Sequence, residues 1–333
     1  MPRWAEVAAV LALVVLVAGL LMMHPWSGNA QPPPAPKGRD AFASDRGGAG
    51  AVDFDARRAM GYLEAVCKIG PRISGTDGMK KQQELLEKHF KDHGDSVRYQ
   101  RFTARQRSVR HDTEMANLIA SWHPERTRRV ILCSHYDTRP LADQEPDTHR
   151  WREPFISAND GGSGVALLME LARHMDKLPT AAGVDFVFFD GEEYIFDRDL
   201  DQYFLGSRHF ARQYRKERGS PKYVAAVLLD MIGGKDAQFP VEQTSWNQAP
   251  GLVREVWTIA AQSGCNAFRG DAFSRVAVQD DHVPLNQAGI PAIDIIDFDY
   301  RHWHRLSDLP ENCSGESLEQ VARVLGVWLQ RVK

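Results

Sequence analysis

Hydrophobic residues along this chain change their period several times, and each change marks an element. Ala56, Met60, Leu63 and Cys67 fall on one face of a helix predicted over 55–69, which Gly70-Pro71 ends. After the turn Ser74-Gly75-Thr76-Asp77-Gly78, Leu85, Leu86 and Phe90 mark a second helix that runs to about Asp92. Residues 97–102 then alternate like a half-exposed strand, 116–120 are more apolar, and 129–134 form a short continuous β-rich run. Beyond that point strand, loop and helix repeat. Strands are predicted at 184–189, 224–229 and 292–296, and helices at 164–175, 206–217, 249–263 and 317–332. This alternation predicts a three-layer α/β/α domain around a central mixed, mostly parallel sheet.

The N-terminus has a different composition. Residues 7–23, VAAVLALVVLVAGLLMM, carry no charge, and no cluster of Lys or Arg follows them. That length lies between a signal-peptide core and a short membrane span, and both readings carry the rest of the chain across a membrane. We expect residues 1–30 to be a signal peptide or membrane anchor and the protein to be exported, periplasmic or extracellular. Residues 31–53, rich in Pro, Gly and Ala, read as a linker with too little aliphatic bulk to fold. The catalytic domain is expected over 54–333.

With 43% hydrophobic and 26% charged residues, the 333-residue chain can bury one large core. A formal charge of −3 leaves no basic footprint for nucleic acid. Cys67, Cys133, Cys265 and Cys313 have no Cys-x-x-Cys spacing, so a cysteine zinc knuckle is excluded. Cys133, inside the 130–133 run, is expected as a buried small hydrophobe.

The candidate chemistry sits where predicted strands give way to loops: His135-Tyr136-Asp137, Asn159-Asp160-Gly161-Gly162, Asp190-Gly191-Glu192-Glu193, Leu229-Asp230-Met231, Gln279-Asp280-Asp281-His282 and Trp303-His304. In open α/β sheets, ligands bind beyond the carboxyl ends of strands. Neutral imidazole and carboxylates fixed there, with one carboxylate left free for protons, are the requirements of zinc catalysis. His135 directly follows a strand, and Asp137 is placed to hold its ring through the second nitrogen. The plainer reading of Asp160 is a helix cap in a glycine turn. Glu192 and Glu193 repel each other at the end of an aromatic strand, which a cation would offset; the alternative is a solvated acidic loop with Asp197, Asp199 and Asp201. Asp230 ends an apolar run and needs a partner. His302 and His304 offer two imidazoles for one role. No Gly-x-Ser-x-Gly elbow, phosphate loop or His-Glu-x-x-His helix occurs, and Ser207 reads as part of a helix start.

Phe188-Phe189-Asp190-Gly191-Glu192-Glu193, Leu205-Gly206-Ser207-Arg208-His209, Leu228-Leu229-Asp230-Met231-Ile232-Gly233, Gln279-Asp280-Asp281-His282-Val283-Pro284 and Trp303-His304 together resemble the zinc aminopeptidase superfamily. Within it they are more similar to the glutaminyl-peptide cyclotransferases, or glutaminyl cyclases, over roughly 55–330. The resemblance implies one zinc per chain on Asp160, Glu193 and His304, proton transfer by Glu192, and a hydrogen-bonded acidic pair of Asp230 and Asp280. It also implies a substrate pocket lined by Trp303 and Gln279. The implied reaction converts the N-terminal glutamine of a peptide or protein to pyroglutamate with release of ammonia. A dinuclear aminopeptidase is the alternative, with His135 and Asp230 on a second zinc, Asp160 bridging and Glu192 activating water. Two departures stand out: Arg198 occupies the place of a cyclase pocket tryptophan, and Asn159-Asp160-Gly161-Gly162-Ser163-Gly164 is closer to the aminopeptidase wording.

Overall fold

A computed structural model describes residues 53–93, 96–218 and 221–332. The apolar run 7–23 and all but the last residue of the 31–53 linker lie outside the described residues. Helix α1 (Ala56–Cys67) starts at the Asp55 cap, whose carboxylate accepts the Arg58 N–H. It buries Ala59, Leu63, Val66 and Cys67, so the inward face is turned slightly from the predicted one and Met60 lies at its margin. Helix α2 (Asp77–His93) follows and buries Met79, Leu86 and Phe90.

The central sheet holds β1 (Ser96–Ala104), β2 (Thr113–Trp122), β3 (Arg128–His135), β4 (Gly183–Phe189), β5 (Lys222–Asp230) and β8 (Ala292–Ile296). Their order is β1-β2-β4-β3-β5-β8; β1, β2 and β4 pair antiparallel, while β4, β3, β5 and β8 run parallel. The sheet is therefore mixed, with its chemistry-bearing half parallel. Alternate residues face opposite layers, as a pleated strand requires. From β3, Val130 and Leu132 join a core with α1, α2, α3 (Gly162–Ala172), α6 (Pro250–Gln262) and α8 (Gly315–Arg331). Ile131 and Cys133 face the other way, toward Phe210 of α4 (Leu205–Lys216) and Leu285 of α7 (His282–Gln287). All four cysteines are free and buried.

The sheet order reverses at β3, with β4 on one side and β5 on the other. The crossover helices α3 and α4 lie on opposite faces, which opens a crevice at the carboxyl ends of β3, β4 and β5. Residues 239–287 carry elements that the hydrophobic pattern left unread: β6 (Phe239–Val241), α5 (Gln243–Gln248), β7 (Phe268–Phe273) and α7. They are short, and the few residues in each cannot show a period.

At the opposite, amino end of the sheet, Asp185 is buried beside Arg129. Arg129 donates from Nε and Nη2 to the two carboxylate oxygens at 3.0 and 2.6 Å, and Ser121 and Tyr223 donate their hydroxyls to the same group. Breaking such a pair leaves an uncompensated buried charge, so Asp185→Ala should destabilise the protein by about 3–5 kcal/mol. Denaturant unfolding checks this, and a loss under 1 kcal/mol, the size of an exposed pair, would show the pair to be solvated.

Candidate metal and catalytic site

His135 is the last residue of β3, Asp230 the last of β5, and Glu192 and Glu193 follow β4 by a turn at Gly191. Asp160 precedes α3, where Gly161 takes a φ of 76° that L side chains rarely adopt. A Cβ there would lie 2.8 Å from the His135 ring, so the glycine lets the Asp160 backbone approach the imidazole. The first residue of α3 receives no side-chain cap, which removes helix capping as a role for Asp160. Instead the Asn159 and Asp160 amides donate to the buried Asp308 carboxylate at 2.9 and 3.1 Å.

These side chains converge as two groups that share Asp160. His135 Nε2 lies 3.1 Å from Asp160 Oδ1 and 3.2 Å from Asp230 Oδ1. His304 Nε2 lies 3.1 Å from Glu193 Oε2 and 3.4 Å from Asp160 Oδ2. In each group the candidate ligand atoms lie within 4.8 Å of one another. Asp160 Oδ2 and Glu193 Oε2 are buried without a hydrogen-bond partner. Converging, undonated carboxylate oxygens beside imidazole nitrogen suit a divalent cation, and an N/O donor set suits zinc. His302 stands apart, bonded to Ser307 Oγ at 2.8 Å.

Asp137 is placed differently from expectation. It lies 3.7 Å from His135 Nδ1, beyond hydrogen-bond reach, while its two oxygens accept the Glu192 and Glu193 N–H groups at 3.0 and 3.2 Å. The carboxylate is committed to the tight turn after β4, whose backbone donors have no strand partner, and so it positions both glutamates. Glu193 is buried, so the solvated-loop alternative is set aside.

Charge crowding shapes the titration of the site. Burial pushes Glu192 well above the usual carboxylate range, opposed by His135 and reinforced by Asp280 and Glu193. Burial likewise lifts Glu193 to about 7, with Asp160 adding to the effect. Asp280 is raised well above its ordinary value by burial and by Asp230 and Asp281. Burial would lower His304, but Asp143, Glu193 and Asp160 outweigh it and raise the imidazole to about 9. A cation bound here would answer the same negative charge and displace those protons.

A cavity of about 330 Å³ opens beside the two groups, lined by Glu192, Asp230, Asp280, Gln279, Phe298 and Trp303 among others. The Trp303 ring lies 4.2 Å from that of His304 and 5.1 Å from Phe298. Gln279 is exposed at the rim. Asp280 Oδ1 accepts the Asp281 N–H, and Asp281 accepts the Ser207 hydroxyl at 2.5 Å, so the serine fastens α4 to the 279–281 segment. Arg198 does not line this cavity; its guanidinium donates to Asp143 at 2.9 Å.

Asp143 and Asp308 went unread in the sequence. Asp143 Oδ1 lies 2.9 Å from His304 Nδ1, and Asp308 holds the Asn159-Asp160 backbone. Both lie in irregular segments, and only the fold reveals what they touch.

Residues 117–329 match the profile of Peptidase family M28. A glutaminyl-peptide cyclotransferase from Gloydius blomhoffii is 25% identical over 243 residues; the match spans 64% of this chain and 64% of that protein. Among solved structures, the Fimbriiglobus ruber glutaminyl cyclase is 50% identical, with a TM-score of 0.84 over 87% of this chain and 100% of that one. A Zn-dependent exopeptidase from Parabacteroides distasonis is 32% identical, with a TM-score of 0.78 over 85% of this chain and 100% of that one.

Asp160 is common to both ligand groups, so Asp160→Asn should weaken zinc at either position. In metal-stripped protein, zinc at one hundred times its dissociation constant should raise unfolding free energy by about 2.7 kcal/mol. The Asp160→Asn protein should show almost none of that gain at the same zinc concentration in a thermal or denaturant titration. An equal gain in both proteins would place the metal elsewhere.

Proposed function

The chain belongs to peptidase family M28, and from that premise we propose that it is a glutaminyl cyclase that converts N-terminal glutamine of peptides to pyroglutamate. The observation that carries this reading is a carboxyl outside both candidate ligand groups, Glu192, which lines the aromatic-walled cavity together with Asp160, Glu193 and His304. The 50% identity to a glutaminyl cyclase structure over its full length supports the same choice.

In the proposed reaction the substrate's α-amine attacks its own γ-carboxamide carbon, a C–N bond forms in the ring, and the carboxamide C–N bond breaks to release ammonia. When held by Asp160, Glu193 and His304, a zinc ion supplies polarisation of the γ-carboxamide carbonyl. Glu192 takes a proton from the attacking amine and returns one to the departing nitrogen. Burial and the neighbouring Asp280 raise its carboxyl above the usual range, which moves it closer to the groups it exchanges protons with. Asp230 and Asp280 line the same cavity as Glu192, and repulsion from Asp230 favours the protonated form of Asp280. Trp303 and Phe298 form an apolar wall that limits water at the reacting carbon and favours the internal amine as nucleophile. In this reading Gln279, exposed where it lines the cavity, meets the substrate backbone.

A second reading keeps support from one observation: His135, Asp160 and Asp230 form a ligand group of their own. With a metal there too, the frame suits hydrolysis of an N-terminal residue, with Glu192 as base. The run at residues 7–23, outside the described structure, supports export, and no helix among the described residues is long and apolar enough to cross a membrane.

Purified protein with a glutaminyl dipeptide should release ammonia and pyroglutamyl product while holding one zinc per chain. Release of free amino acid from a leucyl dipeptide, no ammonia and two zincs per chain would install the peptidase reading. Glu192→Gln removes the proton carrier but no ligand of the Asp160–Glu193–His304 group, so kcat should fall by about 10²–10⁴-fold with zinc content unchanged. Steady-state kinetics and metal analysis on the same sample check both parts.

A further inference from the structure

The segment from Arg139 to Glu145 touches two of the proposed zinc ligands, although Glu193 and His304 are far apart in sequence. The Arg139 N–H donates to Glu193 Oε1 at 2.7 Å. Asp143 Oδ1 lies 2.9 Å from His304 Nδ1, and the Gln144 N–H donates to the His304 carbonyl at 3.1 Å. Glu145 accepts the Leu306 N–H at 2.8 Å. His304 takes a φ of 53°, a left-handed conformation uncommon for any residue but glycine, and these contacts hold its backbone there.

The other oxygen of Asp143 is fully committed. Asp143 Oδ2 accepts from Arg139 Nε at 2.9 Å, from Arg139 Nη2 at 2.7 Å and from Arg198 Nε at 2.9 Å. Two guanidinium groups therefore fix the carboxylate, leaving Oδ1 aimed at the imidazole. Arg139 is buried, and Arg198 arrives from the loop after Glu193, with about half its side chain exposed. The same carboxylate thus ties three loops together: the one after β3, the one after β4 and the one that carries His304.

We infer that Asp143, held by Arg139 and Arg198, is a positioning residue that fixes the ring orientation and tautomer of His304 for metal binding. With Nδ1–H donated to Asp143, the Nε2 lone pair faces Asp160 and Glu193, the side on which a cation would sit. A carboxylate behind a ligating histidine has this effect in metal sites generally, and its loss costs about 10–100-fold in metal affinity. The inference rests on the reading of His304 as a ligand. Of the two guanidinium groups, the buried Arg139 is the one on which the carboxylate depends, and the half-exposed Arg198 adds a weaker contact.

The test is zinc affinity, measured by competition with a chromophoric chelator on the metal-stripped full chain, for wild type, Asp143→Ala, Asp143→Asn and Arg198→Ala. Asp143→Ala should raise the zinc dissociation constant by about 10–100-fold. Asp143→Asn, whose amide cannot accept both guanidinium groups and the imidazole N–H as the carboxylate does, should fall between Asp143→Ala and wild type. Arg198→Ala should stay close to wild type, because Arg139 still holds the carboxylate and a half-exposed pair contributes little. Wild-type zinc affinity in either Asp143 variant would overturn the inference, and so would a lowered unfolding midpoint of the metal-free variant with unchanged affinity. A wild-type protein that binds no zinc in this assay would overturn the metal reading itself, a separate result seen before any variant is compared.

Discussion

Crowded carboxyls at the carboxyl end of a buried parallel sheet are the constraint on which this structure turns. Asp160, Glu192, Glu193, Asp230, Asp280 and Asp281 gather around His135 and His304, where water is too scarce to solvate them. Such a group persists only where imidazoles, protons or a cation balance it and where the backbone cannot relax away. The fold supplies that rigidity from below. Strands β3, β4 and β5 are covered on both faces, so their ends are fixed in space to the accuracy of a packed core.

Further carboxylates supply rigidity from above by taking backbone hydrogen bonds. Asp137 holds the Glu192 and Glu193 amides, Asp308 those of Asn159 and Asp160, and Asp190 that of Ala116 together with the Ser74 hydroxyl. Each side chain substitutes for a strand neighbour that the loop lacks, so buried N–H groups stay satisfied while the chain leaves the sheet. The acids thus fall into those that face the cavity and those that hold the loops bearing them. A list of acidic residues does not separate the two sets.

Asp160 belongs to both candidate ligand groups. Its two oxygens point toward different imidazoles, Oδ1 to His135 and Oδ2 to His304. Trp303 and Phe298 stand near Glu192 and Asp280 in the cavity wall. The candidate ligands His135 and Asp230 stand at strand ends, whereas the cavity wall is built by the longer loops around them.

Much of this was legible in the chain itself. The change of period from 3.6 to 2 and the repeated strand, loop and helix gave the layered α/β fold, because burial of one face or two leaves a pattern in consecutive residues. The His135, Asp160, Glu192, Glu193, Asp230 and His304 positions were readable because each stands at a strand end or in a motif of unusual charge. The short elements between 239 and 287 were not, being too brief to carry a period. Nor were the partners of Asp137, Asp143 and Asp308. Local sequence fixes which residues can form a strand and what chemistry they carry, but a contact between residues 143 and 304 depends on how the loops return over the sheet. That return is decided only when the whole core packs, since its energy comes from burial shared across many distant residues.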